Sequence, residues 1–216
     1  SVIDMKGGYD TDPVWSPDGS KLCWISMERD GYEADKQRLM VADVSISNDG
    51  TPVVSDIKDL TADFKYNVSG PVWSADSKSI YFASLAEGLQ GIFKAGAEGG
   101  IERLTGDDMW YDFGSPFHIT ENEQGTTLYT TWCSMDFPTE LVAISVGDGK
   151  DTVYSMITEE NAHILNQLAS HETEARYVKT VDGKDMLTWV LYPPQFDPSK
   201  EYPSILICLG GPQGTL

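Results

Sequence analysis

Short apolar runs separated by polar turn residues recur along the first three quarters of the chain. Leu22-Cys23-Trp24-Ile25, Ile80-Tyr81-Phe82-Ala83 and Leu128-Tyr129-Thr130-Thr131-Trp132 are rich in aromatic and β-branched residues and lie between turn formers, so they read as strands. Each follows a related opening. Pro13-Val14-Trp15-Ser16-Pro17-Asp18-Gly19 returns as Pro71-Val72-Trp73-Ser74-Ala75-Asp76-Ser77, and more loosely as Pro116-Phe117-His118-Ile119 with Glu121 to Gly125. A second apolar run comes later in each copy: Leu39-Met40-Val41-Ala42, Ile92-Phe93-Lys94-Ala95 and Leu141-Val142-Ala143-Ile144. A further strand closes each unit at Asp59-Leu60-Thr61, Arg103-Leu104-Thr105 and Met156-Ile157-Thr158.

Four short antiparallel strands returning about every 45 to 60 residues match one propeller blade better than a sandwich, because the repeat length equals one small sheet. The pattern predicts a mainly β fold, with three consecutive four-stranded β-propeller blades of the TolB or WD40 kind over residues 1–158. Ser16-Pro17-Asp18-Gly19 supplies a tight turn, with Pro where φ is near −65° and Gly where φ can be positive. Trp15 and Trp73 hold the same repeat position and are expected to wedge between adjacent blades. Closed propellers use about 4 to 8 blades, so the ring is expected to be completed outside these residues.

After Thr158 the period changes. Ile164, Leu165 and Leu168 are spaced as one short helical face, which predicts a single-turn linker. Ala175 to Thr180 and Met186 to Tyr192 flank Asp182-Gly183 as a hairpin, and Ser204 to Leu209 reads as a continuous apolar strand. A strand apolar on both faces belongs in the middle of a covered sheet, so residues 159–216 are expected to hold a linker and the first strands of an α/β domain.

Composition narrows the function classes. With 34 acidic against 15 basic residues and a formal net charge of −19, the chain repels polyanions, which argues against a nucleic-acid partner. No apolar run approaches the roughly 18 to 20 residues that cross a bilayer, and Ser1 opens on mixed polar sequence without a signal-peptide core, so no membrane insertion is expected. Cys23, Cys133 and Cys208 each lie in an apolar run without metal-ligand spacing and are expected to be buried free thiols. Neither a cofactor nor a metal is implied.

Tandem "PVWSPDG"-type blades, then "ITEENAHIL", then "YPPQFDPSKEYPSILICLGGPQG" resemble the prolyl oligopeptidase family of serine peptidases, in which a β-propeller precedes an α/β-hydrolase domain. The stretch Met27 to Lys36 is similar to a loop in dipeptidyl-peptidase V-like members of that family. The resemblance implies an exopeptidase that releases dipeptides from peptide N-termini, periplasmic or secreted, or alternatively cytoplasmic. It also implies a homo-oligomer formed through the hydrolase domain. A runner-up of another class is a non-catalytic TolB-like propeller that binds a protein partner, and a third is a homologue that has lost its triad. In the family, the loop after the apolar strand shapes the oxyanion hole; here that place falls to the backbone of Gly210 and Gly211. Leu209 stands where many relatives carry His or Tyr, and it has no donor to offer.

The chain contains no G-x-S-x-G elbow, and His118, His163 and His171 do not stand where a catalytic His would, so the segment by itself is expected to be inactive. Removing a dipeptide requires recognition of a free ammonium, which calls for carboxylates. In a four-stranded blade the connections between second and third strands emerge on the same side as those between blades. Glu33 and Asp35 belong to the first kind, and Asp107, Asp108, Trp110 and Tyr111 to the second. Glu33 or Asp35 is therefore expected to bind the substrate amine, and Trp110 or Tyr111 to wall the side-chain pocket.

Overall fold

Three antiparallel sheets follow one another along the chain in the computed structural model, which describes residues 3, 7–106, 111–123, 125–147 and 152–208. The first is a meander of β1 (Asp10–Trp15), β2 (Lys21–Ser26), β3 (Arg38–Ile46) and β4 (Pro52–Asp59). The second repeats it with β5 (Ser69–Trp73), β6 (Ser79–Ala86), β7 (Leu89–Gly96) and β8 (Ile101–Arg103). In the third, β9 (Asp112–Phe113) and β10 (His118–Asn122) both pair with β11 (Gly125–Cys133), which is followed by β12 (Glu140–Val146) and β13 (Val153–Met156).

The expected four strands per unit are thus five by count in the third sheet, and proline explains why. Proline has no N–H to give a ladder, so a strand that contains one must bulge or break. The register of β1 shifts between Thr11 and Val14, across Pro13, and that of β5 between Ser69 and Val72, across Pro71. Across Pro116 the same interruption separates β9 from β10. Gly114 N–H still donates to Thr131 O at 2.9 Å and Phe117 N–H to Tyr129 O at 3.0 Å, so both pieces follow one line along β11.

Each fourth strand ends in one device used three times. The N–H groups of Leu60, Leu104 and Ile157 donate to the carbonyls of Leu39, Ile92 and Leu141, each at 2.9 Å. The next residue is threonine, whose hydroxyl oxygen accepts the N–H of that same third-strand residue: Leu39 to Thr61 at 3.0 Å, Ile92 to Thr105 at 3.1 Å and Leu141 to Thr158 at 2.9 Å. The repeated Leu-Thr or Ile-Thr is therefore a strand terminator that gives this third-strand donor an acceptor.

Most of the core lies between the sheets, because alternate side chains of one strand face opposite neighbours; a smaller cluster of Trp24, Met40 and Ala42 sits on the first sheet with Ile3. Ile80 and Phe82 of β6 join Cys23, Leu39 and Val41 of the first sheet, whereas Tyr81 joins Phe113, Leu128, Val142 and Ile144 of the third. Trp73 is buried, and its indole N–H donates to Val14 O at 3.0 Å, wedging the second sheet on the first. Trp15, expected to do the same, is 54% exposed, since among the described residues no sheet lies against that side of β1.

Beyond the sheets the chain forms the single-turn helix α1 (Ala162–Leu165) and a hairpin of β14 (Glu172–Lys179) and β15 (Asp185–Tyr192), turned at Asp182-Gly183 with Gly183 at φ 81°. The expected strand from Ser204 is not formed: residues 201–208 are in no sheet, and Ile205 is 89% exposed. A strand exists only through its ladder, and among the described residues nothing pairs with this run. Of the three cysteines expected to be buried, Cys23 is; Cys133 is half-buried and Cys208 exposed, because the apolar run around Cys208 is itself uncovered. Among the described residues no helix is long and apolar enough to cross a membrane.

Candidate functional site

The connections between second and third strands set the geometry of the sheet ends. In the second sheet this connection is reduced to Glu87 and Gly88, at φ 55° and 85°, a turn whose twist suits a tight hairpin. Gly88 is required there for a second reason. A Cβ on it would stand 2.4 Å from Leu187 Cδ2 and 3.4 Å from Trp189 Cζ2, so the absent side chain lets β15 lie against the blade end. In the third sheet the connection is residues 134–139.

Between these ends, the linker and the hairpin lies a cleft of about 1130 Å³. Tyr111, from the passage between the second and third sheets, and Asp112, which opens β9, meet Gly88 and Leu89 there, and the N–H of Gln90 donates to Asp112 Oδ1 at 2.6 Å. Tyr111 thus lies beside the second-to-third connections of the second and third sheets. Its half-buried ring packs on Trp132 and Phe137, with centroids 4.4 Å and 5.5 Å apart, and forms an aromatic wall. Trp110, Gly210 and Gly211 lie outside the described residues, as do Asp107, Asp108 and Leu209.

Glu33 and Asp35 sit on the longer connection of the first sheet and do not line this cleft. Asp35 is buried. It accepts the Arg29 N–H at 2.8 Å and the Arg29 Nε–H at 2.9 Å, and pairs also with Arg29 Nη2. The Arg29 guanidinium, stacked 3.9 Å from the Tyr32 ring centroid, holds the Asp35 carboxyl below the usual range. Asp35 closes its own loop, and Glu33 is the exposed carboxylate of the two.

Sequence reasoning did not single out Asp112, Asp136 or Glu172, and it placed His171 only as not a catalytic His; the structure brings all four to the cleft. Asp136 Oδ1 lies 2.8 Å from His171 Nδ1. Asp136 and His171 belong to no repeat, and no spacing in the chain announces the pair. Among the described residues no Lys or Arg lines the cleft. With carboxylates as its charged groups beside His171, and Tyr111, Phe137, Leu165 and Trp189 as apolar surface, it suits a group that combines a cation with an apolar body.

No family model matches the chain. Among curated proteins it is 37% identical over 211 residues to dipeptidyl-peptidase 5 of Porphyromonas gingivalis and 42% identical over 210 residues to dipeptidyl-peptidase 5 of Porphyromonas endodontalis. Each alignment covers 97% of this chain and 28% of the relative, so the chain spans little more than a quarter of their length. Among solved structures, the AtxE2 isopeptidase superposes with a TM-score of 0.59 at 14% identity, over 90% of this chain and 28% of that one. Dipeptidyl peptidase 4 of Porphyromonas gingivalis superposes with a TM-score of 0.55 at 17% identity, over 93% of this chain and 26% of that one. Those two likenesses carry the fold alone. The three sheets are β-propeller blades, and over nearly its whole length the chain is a homologue of the dipeptidyl-peptidase 5 proteins.

Proposed function

We propose that this chain is one part of a serine exopeptidase, periplasmic or secreted, that releases dipeptides from the N-termini of peptides. The observation that carries the reading is 37–42% identity to two dipeptidyl-peptidase 5 proteins across 97% of the chain. The acidic, aromatic-walled cleft supports it. Residues 1–158 are the propeller part, which positions or gates the peptide; residues 159–216 open the α/β-hydrolase domain, with Gly210 and Gly211 offering backbone to an oxyanion hole. Tyr111 walls the substrate's side-chain pocket in the cleft, where Asp112 and Glu172 stand as partners for its amine, and Glu33, exposed outside the cleft, is a second candidate for that amine. The nucleophile, its acid and its His belong to the rest of the parent protein, since no G-x-S-x-G occurs here.

The test uses the full-length parent. Peptides with a free N-terminus should yield dipeptides, and a serine-directed reagent should stop turnover. Acetylating the substrate amine should lower kcat/KM by roughly tenfold or more, the loss of one charged hydrogen bond. A parent that releases single residues, or cuts internally with no regard for the free amine, would show the reading to be wrong.

A further inference from the structure

We propose that Glu140 and the Asp136–His171 pair are positioning residues that hold the linker as one wall of the cleft and so set how tightly substrate is held there. The inference rests on reading the cleft as substrate-facing. Its source is a departure from the repeat. The threonine device aligns Leu141 with Leu39 and Ile92, so Glu140 occupies the place of Arg38 in the first sheet and Gly91 in the second. In the first sheet the blade closes on itself: the Thr61 hydroxyl donates to Asp59, at the end of its own strand, at 2.8 Å. In the third the carboxylate has moved to the start of β12, and the Thr158 hydroxyl donates to Glu140 instead.

Glu140 is 7% exposed, and a carboxylate so buried persists only where donors replace water. Besides Thr158 it receives the N–H and the side-chain amide of Asn161, each at 3.3 Å, and these bonds hold its carboxyl below the ordinary range, Thr158 first among them. One end of the linker is thereby pinned to β12. The other end is tied to the connection just before β12 through Asp136 and His171. Between the two ties lie α1 and the cleft-lining Leu165 and Leu168. A four-residue helix with no buried residue has little stability of its own, so the place of this wall depends on the ties.

The test uses the full-length parent with Asp136→Ala, Asp136→Asn and Glu140→Gln. Asp136→Ala should raise KM for a dipeptidyl chromogenic substrate about fivefold with kcat within about twofold, the scale of one partly exposed hydrogen bond. Asp136→Asn should recover most of the loss, since its amide oxygen still accepts the Nδ1–H; a direct charge contact with substrate would not be rescued this way. Limited proteolysis within 159–173 should quicken in Asp136→Ala and Glu140→Gln, at unchanged thermal midpoint. An Asp136→Ala protein whose linker is cut no faster overturns the proposal, and so does one whose linker loosens while KM stays put. If the parent releases no dipeptides at all, the functional reading falls, and the cleavage rates alone decide whether the ties hold the linker.

Discussion

Phe82 and Tyr177 are both aromatic residues within strands, yet Phe82 is 0% exposed and Tyr177 is 61% exposed. Phe82 lies on β6, between β5 and β7, and its ring meets Phe64 and Phe93 with centroids 5.8 Å and 5.6 Å apart. Tyr177 lies on β14, whose one strand neighbour among the described residues is β15. All three buried apolar clusters draw on the propeller sheets, and neither β14 nor β15 contributes a fully buried residue. Forming a strand is therefore not what buries a side chain here; a four-stranded face covered by a neighbouring sheet, or at Trp24 and Met40 by the sheet's own neighbours and Ile3, is, and a two-stranded hairpin has too little face to do so alone.

The comparison can be broken most directly at these two residues. Phe82→Ala should cost about 3–5 kcal/mol in urea unfolding followed by tryptophan fluorescence, whereas Tyr177→Ala should cost less than about 1 kcal/mol. Equal losses would mean that the hairpin is packed as tightly as the blades. Thiol chemistry gives the next largest contrast. Burial pushes the Cys23 thiol up to about 12, while Cys208 stands in the open, so a thiol reagent under native conditions should label Cys208 at least about a hundredfold faster. Cys23 should react only on unfolding. The smallest effect concerns matched threonines. Thr105→Val strips the buried N–H of Ile92 of its acceptor and should cost about 1–3 kcal/mol. Thr180→Val removes the acceptor of the Lys184 N–H, at 3.0 Å, in an exposed turn where water takes its place, and should cost less than about 0.5 kcal/mol by the same denaturation curve.

Where a feature depends on local chemistry, the chain could be read without coordinates. The apolar runs at Leu22, Ile80 and Leu128 are β2, β6 and β11, and the closing Asp59, Arg103 and Met156 are the last residues of β4, β8 and β13. Asp182-Gly183 turns the hairpin as expected, and Trp73 wedges as expected. The candidate site was less legible. Tyr111 reaches the cleft, but Asp35 is taken by Arg29, six residues away in its own loop, and that pairing leaves no trace in the spacing of apolar residues. Asp136 and His171 come together only because the linker folds back over the end of the third sheet.

The sequence by itself determined the strand runs of the three sheets and of the hairpin, where their turns fall and how the blades repeat, because strand propensity, turn chemistry and proline's missing donor act over a few neighbouring residues. Only the tertiary structure decided which of two equivalent tryptophans is covered, which carboxylate is spent on an internal arginine, and that the apolar run at Ser204 to Cys208 stands unpaired. Those outcomes depend on what lies against each surface, and burial and ion pairing are properties of two surfaces meeting rather than of either sequence alone.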